Sequence, residues 1–415
     1  MFDSRKQEKA FLIGVTSNLR DKWEARESFD ELVSLVDTAG PLTVGRAMVE
    51  VREISPATFI GKGKVEQLKE EIRRSGADMV VFDGELAPTQ NRNLDETWSV
   101  RVVDRTSLIL DIFALHAKSR EGKLQVELAQ YQYLYPRLVG AWSHFSRQRG
   151  GGVGLRGPGE TQLEVDRRRV RERISRIKRE LERVESSREI HRMKRESVPI
   201  PTITLVGYTN AGKSTLFNAL SNSDQPVEDK LFATLDPKTK KIKLPSGREV
   251  LLTDTVGFIR NLPHQLIEAF KSTFEEARKS DMLLHVVDAT HPNYHSQIDV
   301  VEKVFEELNL DLIPRIKVMN KMDAEGFRFT GNGAHTIPIS AAAGLGLADL
   351  SLMIDMVLAE TLSPMKLFLP HPYGQLLASL YTHGRVLHSQ NSARGVSVEV
   401  ALPEKWQKKF APYST

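Results

Sequence analysis

A chain of 415 residues, 40 % hydrophobic and 27 % charged, is too long for one ordinary core and has the composition of a soluble globular protein, so two to four domains are expected. The absence of cysteine excludes disulfide scaffolds, thiolate zinc sites and thiol nucleophiles. A formal net charge of +4 does not by itself argue for nucleic acid, so the placement of basic residues matters more than their sum. Residues 1–9 lack the apolar stretch and small-residue cleavage site of a secretory leader, and no run reaches bilayer-spanning length. A cytoplasmic location is expected, with peripheral membrane association left open.

The first part alternates strand and helix signals. Strands are predicted at Phe11–Val15, Ala47–Val51, Met79–Phe82 and Val100–Val103, and helices at Glu24–Asp37, Lys64–Arg74 and Asn91–Thr97. This βαβα order predicts an N-terminal parallel-sheet α/β domain over about residues 1–120. The pattern then turns helical from Glu121 to Leu138, and Pro136 is expected to kink or end that helix. After the glycine-rich stretch 150–159, Val170, Ile174, Ile177, Leu181 and Val184 form a short heptad seam. An antiparallel helical hairpin with a glycine-rich tip is expected over 121–197. Val198-Pro199-Ile200-Pro201 reads as a stiff linker into a domain at 198–363. A second break over Ser363–Pro372 sets off a small C-terminal domain at 364–415.

The stretch Gly207-Tyr208-Thr209-Asn210-Ala211-Gly212-Lys213-Ser214-Thr215 fits G-x-x-x-x-G-K-[ST], the phosphate loop of nucleoside-triphosphate enzymes. The glycines let backbone N–H groups converge on one anion. Lys213 brings positive charge to the terminal phosphates, and the Ser214 hydroxyl can ligate Mg²⁺. An apolar strand before it, Thr202–Val206, and a helical pattern after it, Ser214–Leu220, supply the context the motif needs. The third domain is therefore predicted to be a doubly wound P-loop fold; the loop alone does not say which nucleotide binds, and whether it is a GTPase is read from the downstream residues. Val250–Thr253 is a strand leading into Asp254-Thr255-Val256-Gly257, where a carboxylate can hold Mg²⁺ through water and the Gly257 N–H can sense a γ-phosphate. Asn320-Lys321-Met322-Asp323 follows the strand Ile316–Met319. A carboxylate at Asp323 can accept both guanine N1–H and the exocyclic amine, donors that adenine lacks in that arrangement, which makes GTP and GDP the expected ligands. Asn320 would support loop and base, and the Lys321 stem would cover the purine face. Ser340-Ala341-Ala342 fits the loop whose backbone reaches the guanine carbonyl. Between the phosphate motifs, Leu231-Phe232-Ala233-Thr234-Leu235-Asp236-Pro237 offers Thr234 as sensor of Mg²⁺ and γ-phosphate, with Thr239 as the alternative. Lys213, Gly257 and Thr234 are the catalytic candidates.

These residues resemble the translation-factor-related GTPases, and over about residues 10–363 the chain resembles the HflX family. The passage that carries this likeness is Gly154-Leu155-Arg156-Gly157-Pro158-Gly159-Glu160-Thr161-Gln162-Leu163-Glu164, together with the phosphate loop and Phe232-Ala233-Thr234-Leu235-Asp236-Pro237. The resemblance implies a ribosome-associated GTPase that binds the large (50S) subunit and couples hydrolysis to ribosome dissociation or rescue under stress. A regulatory switch on a protein or membrane partner is the first alternative. ATP-dependent RNA remodelling is the second; Gly61-Lys62-Gly63-Lys64 before a helix could bind the phosphates of ATP at the N-terminal domain, and a loop that only starts the helix is an equal reading. Only a dozen residues separate Asp323 from the next strand, so the helix usual there is expected to be short or absent.

Phe258 stands where Ras-type enzymes carry a water-orienting glutamine, so slow unassisted hydrolysis is expected, on the order of 10⁻⁴ s⁻¹. A phenyl ring cannot orient water by hydrogen bonding, so a large surface such as the ribosome is expected to complete the site; the alternative is that Phe258 packs in the core and another residue orients the water. Asn210 occupies a position associated with K⁺-assisted GTPases; stabilising the turn is an equal reading. Between Asp166 and Glu196 there are thirteen Arg or Lys against seven Asp or Glu. Arg167, Arg168 and Arg169, with Arg149 and Arg156 at the tip, are the candidate rRNA contacts, set against a solvated helix laced with i,i+4 pairs.

Overall fold

The computed structural model describes residues 7–17, 22–148, 158–195, 200–223, 230–260, 276–329, 333–360, 362–370, 376–377, 380–381, 385–392, 394–402, 407 and 410–415. They form two compact units. The first comprises the described residues up to Glu185 together with Lys230–Leu235 and Arg260, and the second holds the rest.

In the first unit, four parallel strands run in the order β2-β1-β3-β4, with β1 at Lys9–Ser17, β2 at Leu42–Val51, β3 at Met79–Phe82 and β4 at Arg101–Asp104. The crossovers are α1 (Lys22–Ala39), α2 (Lys62–Ser75) and α3 (Pro88–Trp98). All four residues of β3 are buried, as a central parallel strand covered on both faces requires. A further helix, α4 (Arg105–His116), is not anticipated by periodicity. Its sequence is apolar nearly all round, so no stripe betrays it, and its start is set by Asp104, whose carboxylate accepts from Ser107 N at 2.8 Å.

Helix α5 (Arg120–Gln148) continues through Pro136 rather than ending there. The missing donor is tolerated because residues on both sides are anchored. The Tyr133 hydroxyl donates to Asp104 Oδ1 (2.6 Å) and Arg137 to Asp104 Oδ2 (2.8 Å). Burial and the Asp104 carboxylate together push the Tyr133 phenol well above its ordinary range, which keeps it a donor. Helix α6 (Pro158–Arg195) packs antiparallel on α5: Leu124 and Leu128 meet Ile177 and Leu181, and Arg173 donates to Glu127 at 2.6 and 2.8 Å. The glycine-rich tip, with Arg149 and Arg156, lies outside the described residues.

The second unit centres on a six-stranded sheet of order β10-β9-β8-β5-β7-β6. Its strands are β5 (Thr202–Gly207), β6 (Lys238–Lys243), β7 (Glu249–Asp254), β8 (Met282–Asp288), β9 (Arg315–Asn320) and β10 (Thr336–Pro338). All pairings are parallel except the edge pair β6–β7. Helices α7 (Lys213–Ser221), α8 (Tyr294–Glu307) and α9 (Leu347–Glu360) accompany it. The core gathers Ile203, Leu205, Leu252, Leu284, Val286 and Val318 with Leu216, Phe217 and Ile354. Among the described residues no helix lies between Asp323 and β10, in line with the short spacing. Within the expected break at Ser363–Pro372, Ser363–Pro370 forms a strand, β11, which pairs in the order β11-β13-β12 with β13 (Gly395–Leu402) and β12 (Arg385–Ser392). Its prolines sit at the two ends of an outer strand, where a missing donor does least harm.

Candidate functional site

The carboxyl ends of four strands of the second unit carry the motifs. Gly207 ends β5, Asp254 ends β7, Asn320 ends β9, and Ser340 follows β10. Ends of adjacent parallel strands form the crevice that open α/β sheets use for ligands.

The loop after β5 has two glycines for separate steric reasons. Gly207 has φ 147°, and a Cβ there would lie 2.2 Å from the carbonyl oxygen of Val286 on neighbouring β8. Gly212 has φ 91°, and a Cβ there would meet Asn320 Nδ2 at 2.2 Å. The second close approach is productive. Asn320 Nδ2 donates to the Ala211 carbonyl (2.9 Å), while its Oδ1 accepts from Ala341 N (2.9 Å). One buried amide thus ties the loop after β5 to the loop after β10. Ser340 Oγ then accepts from Ala343 N (2.9 Å) and closes that second loop.

Lys213 opens α7 with its side chain folded back over the loop, where its Nζ donates to the carbonyls of Gly207 (3.1 Å) and Tyr208 (2.7 Å). Burial pulls its ammonium down to about 8, opposed by the Asp254 carboxylate. Ser214 Oγ donates to Asp254 Oδ2 at 2.7 Å, so the two oxygens that a hard cation needs already stand together. No cluster of three His, Asp or Glu that could hold a metal ion stands together among the described residues. Thr255 is buried, its hydroxyl donating to Leu205 O (2.7 Å).

Phe258 is fully buried and packs edge-on against Phe305 at 6.2 Å. Its backbone does more. Phe258 N donates to Gly207 O (3.0 Å) and its carbonyl accepts from Thr209 N (2.7 Å), a two-bond bridge between the segment after Gly257 and the loop after β5.

At the far end of the crevice, Lys321 has φ 68° and its Nζ donates to Asp288 Oδ2 at 2.6 Å, while Met322 N donates to Ile339 O (3.0 Å). This fixes the stem of Lys321 and leaves Met322 and Asp323 exposed. Asp288 is a residue that motif reading did not find; its sole sequence signal is its place at the end of β8. The structure therefore brings together Gly207–Thr215, Asp254–Gly257, Asn320–Asp323 and Ser340–Ala342. The stretch Phe232–Leu235 packs within the first unit instead. There Leu231 N donates to Thr38 Oγ1 (3.3 Å) and the Phe232 ring meets Phe113 edge-on at 4.7 Å; Thr234 is buried. The alternative Thr239 is used inside the sheet, its hydroxyl 3.0 Å from that of Thr253.

Comparison with known proteins places these features in context. Residues 26–114 match the family described as GTP-binding GTPase N-terminal, residues 116–195 the GTP-binding GTPase middle region, and residues 202–321 the 50S ribosome-binding GTPase. A protein of Caldanaerobacter subterraneus subsp. tengcongensis named GTPase HflX is 47 % identical over 399 residues, covering 96 % of this chain and 92 % of that one. The GTPase HflX of Escherichia coli is 44 % identical over 384 residues, covering 91 % and 90 %. Among solved structures, a GTP-binding protein from the archaeon Sulfolobus solfataricus in complex with GDP is 25 % identical, with 85 % and 99 % coverage and a TM-score of 0.45.

Proposed function

Since this chain belongs to the HflX family of GTPases, we propose that it hydrolyses GTP in the crevice over β5, β7, β9 and β10 while bound to the large ribosomal subunit, and that this cycle drives ribosome dissociation or rescue. The observation that carries the reading is the Asn320 amide, which binds Ala211 and Ala341 at once. It ties the loop for the phosphates to the loop for the base, which supports one nucleotide reaching across both.

Within it, the N–H groups of Asn210–Thr215 and the Lys213 ammonium hold the phosphate tail. Lys213 needs no rebuilding for this, since its Nζ already lies against the loop. The Ser214–Asp254 pair fits Mg²⁺, with Ser214 as direct ligand. Bound there, Mg²⁺ supplies positive charge to the terminal phosphates. Asp323 selects guanine, Ser340–Ala342 line its carbonyl edge, and the Lys321 stem, drawn straight by Asp288, covers one purine face.

Ribosome binding draws on the description of the matched family and on α6. Among the described residues, Arg168 and Arg169 pair with the exposed Glu172 and the half-buried Asp166, at 3.8 and 3.6 Å. Such pairs hold little free energy, so the arginines can exchange them for rRNA phosphates. No helix among the described residues is long and apolar enough to cross a membrane. Gradient sedimentation of purified ribosomes with the protein and a non-hydrolysable GTP analogue tests the reading. Co-migration with 50S particles that weakens steeply with salt is expected; absence of co-migration at low salt points to a regulatory switch on another partner.

A further inference from the structure

Phe258 cannot orient water, since its ring is committed to the core against Phe305. The structure offers a different group at the same place. Thr209, in the loop after β5, is 6 % exposed, and its hydroxyl is buried with no hydrogen-bond partner among the described residues. A buried hydroxyl left unpaired costs free energy, and such groups in folded proteins call for an explanation. Its neighbours supply one. A Cβ placed on Gly257 would lie 2.8 Å from Lys213 Nζ, 2.8 Å from Thr209 Cα and 2.9 Å from Thr209 Cγ2. The ammonium proposed to carry the terminal phosphates, the backbone proposed to sense the γ-phosphate and the Thr209 side chain therefore converge on one point. The Phe258 carbonyl pins the Thr209 backbone there through its N–H (2.7 Å). The methyl of Thr209 now faces Gly257, and one step between staggered χ1 wells puts the hydroxyl in its place.

We propose that the Thr209 hydroxyl positions the attacking water, in the role that a glutamine after Gly257 fills in Ras-type enzymes. The inference rests on the phosphate-loop reading above. Thr209 Oγ1 accepts a hydrogen bond from the water and donates its own to a γ-phosphate oxygen. The water oxygen forms the new bond to the γ-phosphorus. The bond from that phosphorus to the β–γ bridging oxygen breaks, and its electron pair stays on GDP. Both water protons end on the released phosphate, H₂PO₄⁻, and Thr209 neither gains nor loses a proton.

The test is single-turnover hydrolysis with the full chain, alongside Thr209→Val and Thr209→Ser. Valine keeps the shape and removes the hydroxyl; serine keeps the hydroxyl and removes the methyl. Thr209→Val is expected to lower the rate at saturating GTP about 10- to 100-fold, the range for one hydrogen bond to a charged group. The half-saturating GTP concentration and GDP affinity should stay within about twofold, and Thr209→Ser should recover most of the rate. A Thr209→Val protein as fast as the parent, or a serine variant as slow as the valine one, overturns the proposal. Failure of the parent chain itself to bind guanine nucleotides overturns the phosphate-loop reading instead, so the two failures are separable.

Discussion

Asn320 and Ala211 are 109 positions apart in the chain, yet the Asn320 amide donates to the Ala211 carbonyl at 2.9 Å and leaves no room for a side chain at Gly212. Because the same amide accepts from Ala341, removing it strands a carbonyl and an N–H in a buried place. Asn320→Ala is therefore expected to destabilise the protein by about 1–3 kcal/mol. Calorimetry should show this as a fall in Tm of about 2–10 °C. Affinity for GTP and GDP should fall together, because both loops lose their tie. A loss confined to the base, detectable as guanosine binding weakened while inorganic pyrophosphate competes as before, would contradict the bracing role.

Asp323 stands exposed at the end of this run, with the strand end held by Met322 N on Ile339 O (3.0 Å). Its backbone is fixed while its carboxylate stays open to a base. An amide there offers one acceptor and one donor, which suits a purine bearing N–H beside a carbonyl. Asp323→Asn is expected to lose GTP affinity on the order of 100-fold and to gain xanthosine triphosphate. Competition against a fluorescent nucleotide reads both. A variant that weakens all purine nucleotides alike would place Asp323 in the fold rather than in recognition.

Lys213 links the site to pH. Burial lowers its ammonium from 10.5 to about 8. Between those values the unfolded chain holds more protons than the folded one. This group therefore raises stability as pH climbs through that window, and its unfavourable contribution is full below about pH 8. A phosphate tail reverses the burial penalty and raises the pKa again, so binding GDP at pH 8.5 should take up a proton. Titration calorimetry in buffers of different ionisation enthalpy measures that uptake directly. Lys213→Met should abolish it, and GDP affinity of the parent should fall as pH rises from 8 to 9.

How far the sequence reaches depends on the range of the interaction. Gly207, Gly212 and Lys213 are legible because their chemistry is local: nearby backbone must turn and one ammonium must face it. The alternation of Met79–Phe82 and Val102–Val103 with amphipathic helices likewise carries its own period. Helix α4 is not legible, since seven of its twelve residues are buried and no face stands out. Nor is the bracing by Asn320, the tie from Lys321 to Asp288, or the packing of the Phe258 ring on Phe305. Each joins positions far apart in the chain, and residue type alone does not name the partner. Pro136 stands in the other direction: of the kink or end its local signal offers, the end does not occur, and Tyr133 and Arg137 on either side are both fixed to Asp104.

Asn210 brings two local explanations to one residue. It has φ 58°, a left-handed conformation that asparagine tolerates and that explains its presence as a turn residue. Its side chain is exposed, one position after Thr209, and the K⁺ reading expects its oxygen to share a K⁺ ion with a phosphate tail. Glycine separates the two roles, because it adopts the same φ without strain and brings no oxygen. The parent protein is expected to hydrolyse GTP on the order of tenfold faster in K⁺ than in Na⁺ at equal ionic strength, the scale of one added charge contact at the transition state. Asn210→Gly is expected to keep its GDP affinity and to lose that difference. Equal rates of the parent in the two salts would leave the turn as the whole account of Asn210.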